Sequence, residues 1–303
     1  MRRFQQDDAH MPGQVQEEVI GALRFLKFVY TTLQFTEYSV ALSTKPKKAM
    51  GSKELWDIAE GSLKNALELE QIPYTINHGD GAFYGPKIDI RLTDAIGRKH
   101  QCGTIQLDFQ LPLRFNLQYK TASKKEEENE AETSAEPTES SNHNSTDLKP
   151  GFERPLMVHR AILGSLERMT AVLLEHYAGK WPFWLSPRQV MVCPVSHGQD
   201  AYAEYVARQL VLQQFDADVD ISSKTLNKKL REAQLAQYNY MAVVGGKEQE
   251  NITVTLRKRD SDKPFGTFPL QEVIEMFNKE RSVNSFNPDS GIEEFVAPTV
   301  VEA

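Results

Sequence analysis

The pattern of apolar residues changes at Ser186-Pro187, and this change limits the possible folds more than any other feature of the chain. Downstream, short apolar runs alternate with stretches of helical period. The spacing predicts strands at 190–195, 217–221, 240–244 and 252–256, and helices at 201–215, 225–237 and 270–277. Strands alternating with helices of this length imply parallel crossovers, hence a small α/β domain over 187–281 with a tail at 282–303. Upstream, over 1–186, the pattern is different. Val15, Val19, Leu23, Leu26 and Tyr30 form one helical stripe, and Leu55, Trp56, Ala59, Leu63 and Leu67 form another within 53–69. Between and after them the strand-like segments 38–43, 74–77, 87–92, 100–109 and 156–160 are separated by Gly, Pro and Asp turns, and an apolar helix follows at 166–176. Long strands between few helices suit an antiparallel sheet in an α+β layout.

One segment fits neither pattern. Residues 121–149 read TASKKEEENEAETSAEPTESSNHNSTDLK, with no large apolar residue before Leu148. Such a composition cannot repay its ordering entropy, so a disordered acidic insert is expected there. A net charge of −7 would by itself argue against a nucleic-acid partner. Part of it sits in the insert, however, so the flanking parts are nearer neutral and the total decides little. No apolar run approaches the roughly 20 residues needed to cross a bilayer, and no membrane partner is expected. The two cysteines, Cys102 and Cys193, make neither a disulfide framework nor a C-x-x-C zinc pair. The opening residues Met1-Arg2-Arg3-Phe4-Gln5 contain no apolar secretion region and no long Arg/Ser-rich leader.

Four polar constellations stand out before residue 186. In Phe4-Gln5-Gln6-Asp7-Asp8-Ala9-His10, Asp and His two apart suit metal ligation or a hydroxyl or ammonium site, while Asp7 or Asp8 capping the following helix is the simpler alternative. In Asp80-Gly81-Ala82-Phe83-Tyr84-Gly85-Pro86-Lys87, the glycines allow close backbone approach and Lys87 offers a point charge for carboxylate or phosphate; a hairpin turn with an exposed lysine is as good a reading. In His100 to Asp108, Gln101, Gly103, Ile105 and Leu107 share one face by strand period, with Gln106 on the other unless a bulge intervenes. In His159 to Arg168, a lone histidine at a strand end is more often a satisfied core residue than a ligand. Arg168 opens an otherwise apolar helix, and a guanidinium buried there needs an anionic partner, for which a nucleotide phosphate would serve. Val243-Val244-Gly245-Gly246-Lys247 has neither the dinucleotide nor the P-loop spacing. The basic run Arg257-Lys258-Arg259 reads as a solvated strand end or a phosphate contact.

Taken in order, FQQDDAH at 4–10, GDGAFYGPKIDI at 79–90, HQCGTIQLDFQLP at 100–112 and HRAILGSLERM at 159–169 resemble the class II threonyl-tRNA synthetases. The likeness spans nearly the whole chain outside the insert and the last residues, and GKWPFWLSP at 179–187 resembles the fungal mitochondrial members. The resemblance implies a class II antiparallel sheet with flanking helices, truncated at its N-terminus, then an anticodon-binding α/β domain. It implies ATP-dependent activation of L-threonine and transfer to tRNA(Thr), with Mg2+ and Zn2+ as metals and a homodimer for the full-length family. By this likeness His10 and His159 match two zinc ligands, and Asp8 matches the carboxylate that accepts the threonine hydroxyl. Gln6, Tyr84, Lys87, Gln101 and Gln106 match groups lining the threonine and adenylate pocket. Phe4 matches the ring stacked on adenine and Arg168 the motif 3 arginine on the ATP γ-phosphate, with Lys87 and Arg168 carrying the catalytic charge. Arg257 and Arg259 are candidates for tRNA contact.

Some family features lie upstream of the QDDAH stretch: motif 1, the motif 2 arginine on the α-phosphate, and a third zinc ligand, a cysteine whose position neither Cys102 nor Cys193 occupies. Ser222-Ser223-Lys224 replaces the Arg-Asn-Glu run usual in relatives. The expectation is therefore the C-terminal portion of a threonine–tRNA ligase with an incomplete zinc site, acting in the mitochondrial matrix or alternatively in the cytoplasm. A non-catalytic tRNA-binding or regulatory paralogue is the alternative.

Overall fold

The computed structural model describes residues 4–13, 15–120 and 151–282. The insert expected at 121–149, and the tail from 283 on, lie outside the described residues. Backbone contacts divide the chain into two compact units, one reaching Met169 and the other beginning at Thr170.

The first unit contains β1 (Ala9–Gly13), α1 (Val15–Thr32), β2 (Tyr38–Ser43), α2 (Lys53–Leu69), β3 (Thr75–Asn77), β4 (Lys87–Thr93) and β5 (Lys99–Asp108). After these come a short helix α3 (Leu111–Arg114), the paired strands β6 (Tyr119–Lys120) and β7 (Phe152–Glu153), β8 (Leu156–Ala161) and the start of α4 (Leu166–His176). Six strands form one sheet in the order β1-β8-β5-β4-β2-β3, antiparallel throughout except for the β2–β3 pair. The expected stripes bury as drawn from the sequence: Val19, Leu23, Leu26 and Tyr30 of α1 and Trp56, Leu63 and Leu67 of α2 are all excluded from solvent. Ser52 caps α2 by accepting the Leu55 N–H, as a serine at that position should. The sheet contributes Ile88, Ile90, Ile105, Leu107 and Val158 to the core.

Strand β1 is the element that sequence did not foresee. Asp7 and Asp8 do not cap helix α1, because β1 stands between them and it. Ala9–Gly13 pairs with β8, from Ala9 opposite Arg160 to Gly13 opposite Leu156. A five-residue strand with Pro12 in it has no alternation to read, and Pro12 is tolerated because β1 is an edge strand.

The second unit contains β9 (Val190–Pro194), α5 (Asp200–Leu212), β10 (Ala217–Val219), α6 (Leu226–Leu235), β11 (Tyr240–Val244), α7 (Gly246–Asn251), β12 (Thr253–Lys258), β13 (Pro264–Pro269) and α8 (Leu270–Arg281). Its sheet order is β10-β9-β11-β12-β13; β9 runs parallel to β10 and β11, while β12 and β13 are added antiparallel. Parallel crossovers thus account for three strands, and the sheet is mixed. Strand β13, with Gly266 and two prolines at its ends, gave no sequence signal.

The compact-unit division falls earlier than the 186/187 position expected from composition. Phe183, ahead of that position, is already buried in the second unit's own core against Phe215, Tyr240 and Phe277. Gln189 ties the same segment down: its Nε2 donates to the Phe183 carbonyl at 2.8 Å and its Oε1 accepts the Asp216 N–H at 2.8 Å. Among the described residues no helix is long and apolar enough to cross a membrane. Phe183→Ala is expected to cost the second unit about 3–5 kcal/mol, the usual loss for a buried Phe. Urea unfolding of the full chain followed through that unit measures it, and a loss below about 1 kcal/mol would place Phe183 outside the core.

Candidate active site

The sheet of the first unit has two unlike faces. One is apolar and covered by α1; a Cβ on Gly103 would come within 3.1 Å of Leu26 and 3.2 Å of Ile90. The other face carries a continuous polar row. Residues paired directly across strands point the same way, and the register joins His10 to His159, His159 to Gln106, Gln106 to Lys87, and Lys87 to Ser43. Five strands thus each place a polar side chain in one line.

Gln101 joins this face through a bulge. The β4–β5 register runs Ile90 opposite Gly103 and then Arg91 opposite Gln101, so Cys102 is the extra residue. Strict period two would put Gln101 with Gly103, Ile105 and Leu107; the bulge moves it to the side of Thr104, Gln106 and Asp108. Of the two readings left open by sequence, the bulged one holds.

Two buried carboxylates organise the row, and sequence analysis had assigned a role to neither. Asp89 is fully buried. Its Oδ2 meets Lys87 Nζ at 2.8 Å and the Ser43 hydroxyl at 3.0 Å, while its Oδ1 accepts from Gln101 Nε2 at 2.5 Å and Thr104 Oγ1 at 3.4 Å. One carboxylate therefore aims both the Lys87 ammonium and the Gln101 amide. Asp108, also fully buried, accepts the N–H groups of Gln110 and Leu111 on Oδ1 and lies 3.0 Å from His159 Nε2 through Oδ2. A readable signal existed: in β4 and β5 these acids lie two residues beyond Lys87 and Gln106, hence on the same face.

Tyr84 Oη donates to Gln106 Oε1 at 3.1 Å. Burial pushes the Tyr84 phenol above its ordinary value, and the Asp108 carboxylate adds to the push, so Tyr84 is a neutral donor. The turn that presents Tyr84 depends on Gly85, where a Cβ would sit only 1.8 Å from the Leu107 carbonyl oxygen. Lys87 is also 4.0 Å from Asp80 at the open side of the site.

His10 and His159 turn Nδ1 atoms toward each other at 2.5 Å, with rings near perpendicular. A carboxylate oxygen accepts, so Asp108 favours the His159 tautomer with its proton on Nε2, in which Nδ1 is a lone pair facing His10. A carboxylate behind a ring nitrogen is the usual support for a metal-ligating histidine. In a tetrahedral zinc site two ligating imidazole nitrogens stand about 3.3 Å apart, so the pair would open slightly around an ion. Among the described residues, no group of three or more His, Cys, Asp or Glu could hold a metal. Two imidazoles are half of a tetrahedral donor set, and the described residues do not complete it.

The remaining candidates flank this row. Phe4, Asp8 and Arg168 are exposed, and Gln6 bridges to Ser165. Arg168 is thus not the buried guanidinium suggested by its apolar helix; it donates to the Gln101 carbonyl and keeps its outer face open. Glu167 is engaged elsewhere, accepting from Gln5 N and Ser165 Oγ. Its own backbone N–H, the Ser165 hydroxyl and the Gln5 N–H hold its carboxyl below the ordinary value, against desolvation. In the second unit Arg257 donates to the Asp262 carbonyl, and Arg259 is mostly covered between Asp260 and the Trp181 carbonyl.

Residues 1–133 match the family described as tRNA synthetase class II core domain (G, H, P, S and T), and residues 189–280 match the anticodon binding domain. The polar sheet face therefore belongs to a class II aminoacyl-tRNA synthetase core. The chain is 50% identical over 280 residues to threonine–tRNA ligase, mitochondrial 1, of Arabidopsis thaliana, covering 91% of this chain and 36% of that protein. It is 48% identical over 299 residues to the human cytoplasmic threonine–tRNA ligase 1, covering 97% and 37%. The crystal structure of the RNA-binding domain of threonyl-tRNA synthetase from Cryptosporidium parvum superposes with a TM-score of 0.82 at 49% identity, over 94% of this chain and 66% of that one. The chain belongs to the threonyl-tRNA synthetase family and corresponds to its C-terminal portion. It spans little more than a third of the length of these two curated relatives.

Asp89→Ala would leave the Lys87 ammonium, only 18% exposed, without its nearest anion. A loss of about 3–5 kcal/mol in urea unfolding of the first unit is expected from stranding one partner of a buried pair. A change within about 0.5 kcal/mol would show that Lys87 finds water instead.

Proposed function

We propose that this chain supplies most of the active site and the tRNA-reading end of a threonine–tRNA ligase. The single observation that carries the reading is the aligned row His10, His159, Gln106 and Lys87, backed by Asp108 and Asp89. In the proposed reaction the threonine carboxylate attacks the ATP α-phosphorus and pyrophosphate leaves; a ribose hydroxyl of the terminal adenosine of tRNA(Thr) then attacks the threonyl carbonyl of the adenylate, and AMP leaves. Catalysis of this kind is positioning and charge neutralisation.

Lys87, held by Asp89 at 2.8 Å and lying 4.0 Å from the exposed Asp80, is suited to an anionic oxygen. Gln101, Gln106 and Tyr84 form the polar wall beside it, and Gln6 and Asp8 approach from the N-terminal segment. Asp8, exposed next to His10, is proposed as the acceptor for the threonine hydroxyl. The exposed Phe4 ring is proposed to stack on adenine, and Arg168 to take the ATP γ-phosphate, with Mg2+ neutralising the rest of the triphosphate. His10 and His159 are proposed as this chain's contribution to a zinc site whose remaining donor comes from outside the described residues. A zinc ion would read the threonine hydroxyl by direct coordination.

A homodimer is proposed for the full-length protein. In the second unit Arg257 and Arg259 mark the strand end proposed to face tRNA phosphates. The curated relatives include mitochondrial and cytoplasmic enzymes, and the 179–187 stretch supports the mitochondrial matrix as the compartment.

A version extended upstream is expected to catalyse threonine-dependent pyrophosphate exchange, and its absence would sink the assignment. Arg168→Ala in that version should lower exchange by about 10²-fold, the typical loss of one charge-stabilising donor. The present chain alone should fall short of the extended version by at least about 10²-fold; equal turnover would show that nothing upstream takes part in the chemistry.

A further inference from the structure

Asp7 lies between the residues proposed to meet the ligand, yet its carboxylate faces the protein. Oδ2 accepts the Ile162 N–H at 2.8 Å, Oδ1 the Gly164 N–H at 3.0 Å, and both oxygens share the Leu163 N–H at 3.1 and 3.2 Å. Three successive backbone N–H groups converging on one anion form a nest, a strong arrangement because every bond is charge-assisted. The Arg160 guanidinium lies 3.9 Å from Oδ2.

The loop held in this way has little freedom of its own. Gly164 adopts φ +70°, and a Cβ there would lie 2.7 Å from the Cys102 carbonyl oxygen. The Tyr30 hydroxyl donates to the Ile162 carbonyl at 2.9 Å from the buried side. Beyond the loop, the Leu166 N–H donates to the Gln5 carbonyl at 2.9 Å, and the Gln5 N–H to Glu167 at 3.1 Å. The Arg168 guanidinium lies against Gly164, 3.2 Å from where its Cβ would be, and donates to the Gln101 carbonyl. The nest, the Gly164 turn and the guanidinium form one contiguous stack.

We propose that Asp7 is a positioning residue: by anchoring the N–H groups of residues 162–164 it fixes the Gly164 turn on which the Arg168 guanidinium rests, and so sets the grip on the outer phosphates of ATP. This rests on the reading of Arg168 as a phosphate ligand. Asp7 touches no substrate atom. Its effect reaches the ligand through the loop backbone, whereas neighbouring Asp8 and Phe4 act directly. Asp7→Asn keeps the shape but removes the charge and turns a donor toward three donors.

Two measurements on the full chain test this. Hydrogen exchange of the peptide covering residues 162–164 should accelerate about tenfold or more in Asp7→Asn, as expected for loss of charge-assisted bonds. Equilibrium binding of ATP and of AMP should show ATP weakened by about tenfold and AMP by less than about twofold. Asp7→Asn combined with Arg168→Ala should bind ATP no more weakly than Arg168→Ala alone, since both act through one contact. Unchanged exchange at 162–164 overturns the anchoring. Faster exchange with an unchanged ATP-to-AMP ratio, while Arg168→Ala abolishes that ratio, overturns the link to Arg168. An Arg168→Ala variant that retains the preference for ATP removes the phosphate-ligand reading itself, and the consequence proposed for Asp7 with it.

Discussion

The pairing of β8 between β1 and β5 is the constraint on which the first unit's chemistry depends. It brings His10 opposite His159 across 149 residues of chain, and His159 opposite Gln106 on its other side. A register slip of one residue would turn every side chain of β8 to the opposite face. The apolar face resists such a slip, because Val158 would exchange the helix-covered core, which it shares with Ile105 and Leu107 of β5, for solvent. Hydrophobic burial under α1 therefore fixes the polar line on the opposite face. The core specifies the site through register rather than by touching it.

Carboxylates then convert a line of polar residues into an oriented set. Asp7, Asp89 and Asp108 each accept several donors, and none is proposed to meet substrate. A desolvated carboxylate costs several kcal/mol unless its lone pairs are filled. Lys87, Ser43, Gln101 and Thr104 fill those of Asp89; His159 and two backbone N–H groups fill those of Asp108. Because each partner is also needed by the acid, the side chains lose the freedom to swing away from the site. Preorganisation of this kind is what positional catalysis requires.

The amphipathic helices and most strands were legible because periodicity reports burial directly: α2 and β2 begin and end where the pattern says. Strand β1 was not legible, since Ala-His-Met-Pro-Gly has no alternation and its pairing partner is far away in sequence. The site was legible as four separate polar stretches, and the family resemblance ordered them. Their relation in space came from register and from one bulge at Cys102, which local sequence allows but does not demand. Arg168 was misjudged as buried because the helix it opens is apolar, whereas helix α4 places it in the first turn, on the solvent side. Phe183 lies ahead of the composition change yet is claimed by the second unit's packing, a tertiary effect with no local marker.

The Lys87–Asp89–Gln101 network also bears on whether the first unit is a working site or only a scaffold. Buried ion pairs are seldom the most stabilising choice; apolar residues of similar volume often give equal or greater stability. A unit whose only task was to hold its shape would gain nothing from a desolvated carboxylate beneath a lysine, or from an acid fixing a histidine ring. The arrangement has a physical rationale only if the direction of the ammonium, amide and imidazole matters to something outside the fold. All three share one face, and the Lys87 amine and the His10–His159 pair lie on its single polar row. That is the requirement of a ligand with several polar groups at fixed separations.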